Sequence, residues 1–126
     1  MKTGRKTGFV VFAHGSTIES ANDAVRSVAK GMASVGGYPL VEAAFLGGGT
    51  PDLAGGVSNL VAAGAERVVV IPYFLTLGLH LQRDLPELVA EVRQRFPELS
   101  SLEVTEPLDG HPALATILVD RAAKAL

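Results

Sequence analysis

Two stretches of this chain carry side chains able to do chemistry together: His14-Gly15-Ser16, and the segment Thr76 to Asp84 that contains Leu77, Gly78, His80 and Arg83. Imidazole is the side chain that binds transition metals and exchanges a proton near neutral pH. His14 directly follows the apolar run Phe9-Val10-Val11-Phe12-Ala13, so partial desolvation is expected to hold it neutral, as a metal ligand or base must be. Gly15 permits a sharp turn and a close approach of ligand to backbone. The plainer alternative is a structural histidine bonded to a loop carbonyl, with Ser16 capping the next helix, and spacing alone does not separate the two. The second stretch is unusually apolar for a loop. It could lie against a flat hydrophobic ligand, meet another subunit, or fold over the core. Arg83 offers a rigid donor fork for carboxylates, while Asp84 reads as a helix cap.

Two further features rank lower. Gly47-Gly48-Gly49 before Thr50 could form a phosphate nest at a helix N-terminus, but no P-loop Lys-Ser/Thr and no GxGxxG accompanies it. A flexible turn is the favoured reading. His111, beside Asp109 and Pro112, reads as a surface or cap residue.

These residues need elements to position them. Four β-like runs, at Phe9–Ala13, Leu40–Leu46, Arg67–Phe74 and Leu102–Thr105, alternate with four helix-like segments. The run Phe9-Val10-Val11-Phe12-Ala13 is continuously apolar, as in a strand covered on both faces, and Val68-Val69-Val70-Ile71 centres the third run, so right-handed βαβ crossovers and a parallel sheet are expected. Residues 19–35 place Ala21, Ala24, Val25, Val28, Ala29 and Met32 at helical spacing before Gly36-Gly37. Thr50-Pro51-Asp52 predicts a second helix, with Thr50 capping and Pro51 at the first position, ending at Gly64. Asp84-Leu85-Pro86-Glu87 predicts the start of a third, running to Phe96, and a fourth runs from Ala113 to Leu126. In a parallel sheet the loops after the strands gather on one edge, where ligands bind in open α/β folds. All three histidines of the chain fall there.

Composition narrows the classes. The 126 residues suit one domain, 1–126, with residues 1–7 expected to be a flexible N-terminus. The formal charge of −2 and the absence of a basic stripe argue against nucleic acid. The chain has no cysteine, which excludes disulfides and thiolate ligands. The apolar stretch Val68–Leu81 is too short for a bilayer and the N-terminus lacks the apolar core of a signal peptide, so a cytoplasmic protein without membrane contact is expected. No GxSxG, no HExxH and no obvious glycosidase carboxylate pair occurs. Two imidazoles at one hydrophobic cleft suit Co, Ni, Fe or Zn better than Mg or Ca.

Four stretches together resemble a known family. They are Phe9-Val-Val-Phe-Ala-His-Gly-Ser16, Val41-Glu-Ala-Ala-Phe-Leu46 leading to Thr50-Pro-Asp-Leu53, Ala63 to Leu75, and Gly78-Leu-His-Leu-Gln-Arg-Asp-Leu-Pro-Glu-Leu88. The chain resembles the small CbiX-type sirohydrochlorin chelatases, single-module relatives of the cobalt- and iron-inserting enzymes and more distantly of ferrochelatase. The resemblance implies a three-layer α/β domain, a four-stranded parallel sheet flanked by helices in a flavodoxin-like order, and a homodimer. It implies nucleotide-independent insertion of a divalent metal, Co²⁺ first and Fe²⁺ or Ni²⁺ as alternatives, into sirohydrochlorin for cobalamin or sirohaem synthesis. His14 and His80 match the family's metal-binding histidines, and on this reading Ser16, Leu77, Gly78 and Arg83 contact the macrocycle. One position departs from the pattern: Gly47 stands where the family commonly carries a glutamate. That departure motivates an alternative, a non-catalytic metal or tetrapyrrole carrier on the same fold. A histidine-phosphatase-like enzyme is the remote alternative, since Ala13 stands where those enzymes place an arginine.

Overall fold

The computed structural model describes residues 6–126. Its elements alternate throughout: β1 (Thr7–Ala13), α1 (Glu19–Gly36), β2 (Val41–Phe45), α2 (Leu53–Ala62), β3 (Arg67–Pro72), α3 (Leu79–Arg95), β4 (Ser101–Val104) and α4 (Ala113–Ala125). The strands form one parallel sheet in the order β2-β1-β3-β4. The expected fold class holds. Of the N-terminal stretch 1–7, residues 1–5 lie outside the described residues. Lys6 is tied in, its N–H donating to Glu66 Oε1 at 3.0 Å and its carbonyl accepting from Glu66 and Arg67.

Strand alternation divides the side chains between two faces. Val10, Phe12, Ala44, Val68, Val70 and Leu102 point to one side and pack against Leu53, Val57 and Leu60 of α2 and Leu85, Val89 and Val92 of α3. On the other side Phe9 meets Tyr38, ring centroids 4.6 Å apart, and α1 buries Asn22 and Ala29. Among the described residues no helix is long and apolar enough to cross a membrane.

Two helices begin elsewhere than the sequence signals suggest. Asp52, not Thr50, caps α2: its Oδ1 accepts from Gly55 N–H at 2.8 Å. Helix α3 opens at Leu79, so Pro86 lies within it and His80 sits in its first turn rather than in a loop. Proline at an interior helical position forfeits one backbone hydrogen bond. The helix continues through it because Leu81, Leu85, Val89 and Val92 keep a 3.6-residue apolar stripe on the core across the break. Asp84, expected as a cap, is consequently inside α3 and pairs with Arg83, Oδ1 to Nε 3.2 Å.

The edge strand β4 is joined to β3 by an exposed pair, Arg67 Nη2 to Glu103 Oε2 at 3.2 Å. The hydrogen bonds and charge of Arg67 hold the Glu103 carboxyl below the usual carboxylate range. Such stabilisation is present above the unfolded-state pKa and is lost as pH falls through the folded one. Glu103→Gln should therefore lower stability at pH 7 only slightly, as for other solvent-exposed pairs. The difference between variant and parent should shrink as pH falls below the usual carboxylate range and Glu103 protonates in the folded state. Urea unfolding at pH 7 and pH 3 checks both.

Candidate functional site

The strand order places a crevice between the loops after β1 and β3. From β1 the chain crosses to β2 on one side, and from β3 it crosses to β4 on the other, so the two loops diverge at the switch point. A cleft of about 450 Å³ lies there, walled by His14, Gly15 and Ser16 from the first loop and by Tyr73, Phe74, Leu75 and Thr76 from the second. The second wall is seated by backbone bonds, Tyr73 N–H to Phe12 O at 2.7 Å and Leu108 N–H to Phe74 O at 3.1 Å.

His14 stands at the rim. The expected desolvation is not observed: the side chain is exposed, because the strand ends one residue earlier and the ring passes beyond the sheet. It rests edge-on against Phe74, centroids 5.0 Å apart and planes at 77°. Its position is set by its backbone, whose carbonyl accepts from Gly47 N–H at 2.9 Å. The Gly47-Gly48-Gly49 turn is therefore tied to the His14 loop, by this bond and by the Asn22 amide at Gly48 O.

Two glycines and a buried amide make that packing possible. Gly15 has φ +87°, and a Cβ there would collide with the carbonyl of Gly47. Gly48 has φ +72°, and its Cβ would fall 2.9 Å from the Ser16 carbonyl carbon. Asn22, the one fully buried polar side chain among the described residues, spans both loops. Its Oδ1 accepts from Ser16 N–H at 2.9 Å, and its Nδ2 donates to Ser16 O at 2.8 Å and to Gly48 O at 3.4 Å. Sequence reasoning missed Asn22. The available signal was a polar residue in line with Val25 and Ala29 on the apolar face of α1.

His80 is exposed on the first turn of α3, on the same edge of the sheet, and does not line the His14 cleft. Arg83 Nη2 lies 3.2 Å from His80 Nδ1. A guanidinium can only donate, so Nδ1 accepts and a neutral ring carries its proton on Nε2. In this arrangement neither ring nitrogen has a free lone pair. Ser16 lies in the cleft wall, whereas Leu77 packs partly buried against the core with its carbonyl accepting from Gln82 Nε2 at 3.0 Å. Gly78 is the exposed N-cap of α3. His111 caps α4, its Nδ1 accepting from Ala113 N–H at 3.0 Å. Among the described residues no three His, Asp or Glu side chains converge as a metal site.

A parallel sheet of this order, with an exposed histidine at its switch point, defines an open α/β domain with a ligand-binding edge, and the comparisons specify its family. Residues 8–125 match the CbiX family, and the chain belongs to it. It is 35% identical over 118 residues to the chloroplastic sirohydrochlorin ferrochelatase of Arabidopsis thaliana, but spans 52% of that protein's length. It is 26% identical to the sirohydrochlorin cobaltochelatase of Methanopyrus kandleri, covering 93% of this chain and 95% of the relative. A cobalamin (vitamin B12) biosynthesis CbiX protein from Marinobacter aquaeolei superposes with a TM-score of 0.81 at 22% identity over 94% of this chain and 96% of that one, which establishes the shared fold. The sirohydrochlorin chelatase SirB from Bacillus subtilis, solved in complex with cobalt, gives 0.72 at 25% identity over 81% of this chain and 43% of that one.

Removing the Asn22 side chain strands the Ser16 peptide in a partly buried place. Asn22→Ala should cost about 1–3 kcal/mol, the usual penalty for unpaired buried polar groups. Chemical denaturation measures it, and an unchanged midpoint would show that the two loops are held by their backbones alone.

Proposed function

We propose that this chain inserts a divalent metal into sirohydrochlorin without nucleotide, with Co²⁺ as the first candidate and Fe²⁺ or Ni²⁺ as alternatives. The observation that carries the reading is the position of His14, projecting from the switch-point crevice beside an apolar wall of Phe74 and Leu75. A flat macrocycle with an apolar face and charged rim suits such a wall. The similarity to both ferro- and cobaltochelatases supports the substrate class and leaves the metal open. On this reading the working form is a cytoplasmic homodimer in which the second module completes the cleft.

The chemistry follows from what imidazoles can do. Insertion exchanges two pyrrole N–H protons for M²⁺, so metal must be delivered and two protons accepted. His14, unhindered at the rim, serves as ligand or as proton acceptor, and His80 takes the other part in turn. One ring cannot do both at once. His80 first has to release Arg83. A peripheral carboxylate of the macrocycle, binding the guanidinium as a two-oxygen acceptor, would draw Arg83 away and free Nδ1. Metal capture at His80 is thereby linked to the arrival of the tetrapyrrole, with Ser16 and Gly78 at the margins of the bound ring.

The carrier reading keeps one specific observation in its favour: a glycine at position 47, where a carboxylate would assist both steps. Optical titration decides between them. Sirohydrochlorin with Co²⁺ or Fe²⁺ should change spectrum faster with protein than without, and binding with no rate increase would mean a carrier.

His14→Ala and His80→Ala should each lower the insertion rate by about 10²-fold or more, the lower range for losing a proton acceptor, and the double variant should fall to background. Wild-type rates in the double variant would overturn the assignment. Arg83→Ala should bind Co²⁺ more tightly than the parent when no tetrapyrrole is present, while weakening tetrapyrrole binding. Equal metal affinity by titration calorimetry would remove the gating role of Arg83.

A further inference from the structure

One guanidinium on the ligand edge closes on two donors at once. Arg83 Nη2 lies 3.2 Å from His80 Nδ1, and Arg83 Nε donates to Asp84 Oδ1 at 3.2 Å. Adjacent side chains on a helix point in different directions, whereas those four apart stand one above the other. His80 and Asp84 therefore share a face of α3, and Arg83 has to bend across to reach it. Parallel N–H bonds of this kind are the fork with which arginine grips the two oxygens of one carboxylate. Here an imidazole nitrogen and a carboxylate oxygen take those two places, so their lone pairs converge on a single cationic group.

The same convergence fits a smaller cation. An imidazole and a carboxylate one helical turn apart are a chelating pair, and their mixed N and O donors suit Co²⁺, Fe²⁺, Ni²⁺ or Zn²⁺. A metal ion in place of the guanidinium would draw both donors in to about 2.0–2.2 Å. His80 and Asp84 are both exposed, so a hydrated ion can reach them.

Local charge favours the pair over His80 alone. The first turns of a helix carry partial positive charge, which disfavours a cation at a lone imidazole. Asp84 offsets that charge. Glu87 and Glu91 continue the acidic flank of α3 along a hollow closed on its other side by Leu46. Leu46 directly precedes Gly47, where no carboxylate is available. On this side of the edge the acid stands on α3 instead.

We propose that His80 and Asp84 form a two-donor loading site for a divalent transition metal, closed by Arg83 when no metal is held. Two protein donors leave most coordination positions open, which suits a cargo that has to be handed on. That the metal held there is the one inserted rests on the chelatase reading, whereas the binding itself does not.

Co²⁺ alone is the probe, without tetrapyrrole. It is titrated by calorimetry and by its visible absorption into the parent, Arg83→Ala, Arg83→Ala/Asp84→Asn and Arg83→Ala/His80→Ala chains. Arg83→Ala is expected to bind more tightly than the parent. Adding Asp84→Asn should cost about tenfold or more, because even a group bonded to a metal ligand is worth about 10–100-fold in affinity. Adding His80→Ala should cost as much, and Asp84→Glu, which keeps the carboxylate, should retain part of the gain. A chain with Arg83→Ala/Asp84→Asn that binds Co²⁺ as tightly as Arg83→Ala would overturn the site, and so would affinity unchanged by His80→Ala. Insertion assays on the parent separate the two readings. No insertion, together with the expected affinities, refutes the chelatase and supports the site as a carrier's. Insertion, with Co²⁺ affinity indifferent to Asp84, refutes the site and leaves the chelatase standing.

Discussion

The buried Asn22 amide is the contact on which the ligand edge depends. A parallel sheet delivers loops to one edge but leaves each free to move, since adjacent loops share no ladder. Asn22 removes that freedom by closing on both polar groups of Ser16 and reaching Gly48. Because the amide is buried and its bonds are made, loss of any partner leaves a desolvated group, which makes the arrangement hard to distort. Gly15 and Gly48 are then required by geometry, for each occupies backbone space where a side chain would collide with the opposite loop. The rim imidazole of His14 inherits its fixed origin from this interlock.

The two histidines consequently stand in different mechanical settings. His14 grows from a strand end locked to its neighbours, and its ring is steadied on one side by Phe74. His80 grows from the first turn of a helix and is held by a single exposed contact to Arg83. A fixed ring suits a constant position relative to the macrocycle, and a releasable one suits transfer. On the proposed reading, a division of labour between ligand and proton acceptor would have a basis in what holds each side chain, beyond the chemistry they share.

The sheet was legible because its signal is local and redundant. Phe9-Val10-Val11-Phe12-Ala13 reads as a doubly covered strand without reference to anything distant, and the β3 and α1 runs are equally local signals. The start of α3 was not legible, because Pro86 is ordinarily a first-turn signal and only the packing of Leu81 on the core reveals that the helix is already under way. His14 could be picked out from its place after an apolar strand, but its exposure depends on where the strand ends. Asn22 was hidden by its setting: a polar residue in an amphipathic helix is ordinarily solvated, and its partners lie 6 and 26 residues away. Leu77 looked like a ligand contact because loops are seldom apolar. Its side chain is partly buried against the core and lines a groove along α3.

Position 47 completes the logic of the site. Gly48 and Gly49 are obliged to be glycine or nearly so, since added Cβ atoms would lie 2.9 Å from Ser16 and 2.8 Å from the Asn22 amide. Gly47 is under no such constraint: no atom lies within 4 Å of where its Cβ would stand, and its φ is not left-handed. Its backbone N–H, bonded to the His14 carbonyl, would be available from any residue but proline. A carboxylate would therefore fit beside the His14 loop, and its absence is not a consequence of packing. Under the proposed function, the proton demand of metal insertion would then fall on the two imidazoles, and it is there that the chemistry would differ from that of a relative carrying the acid.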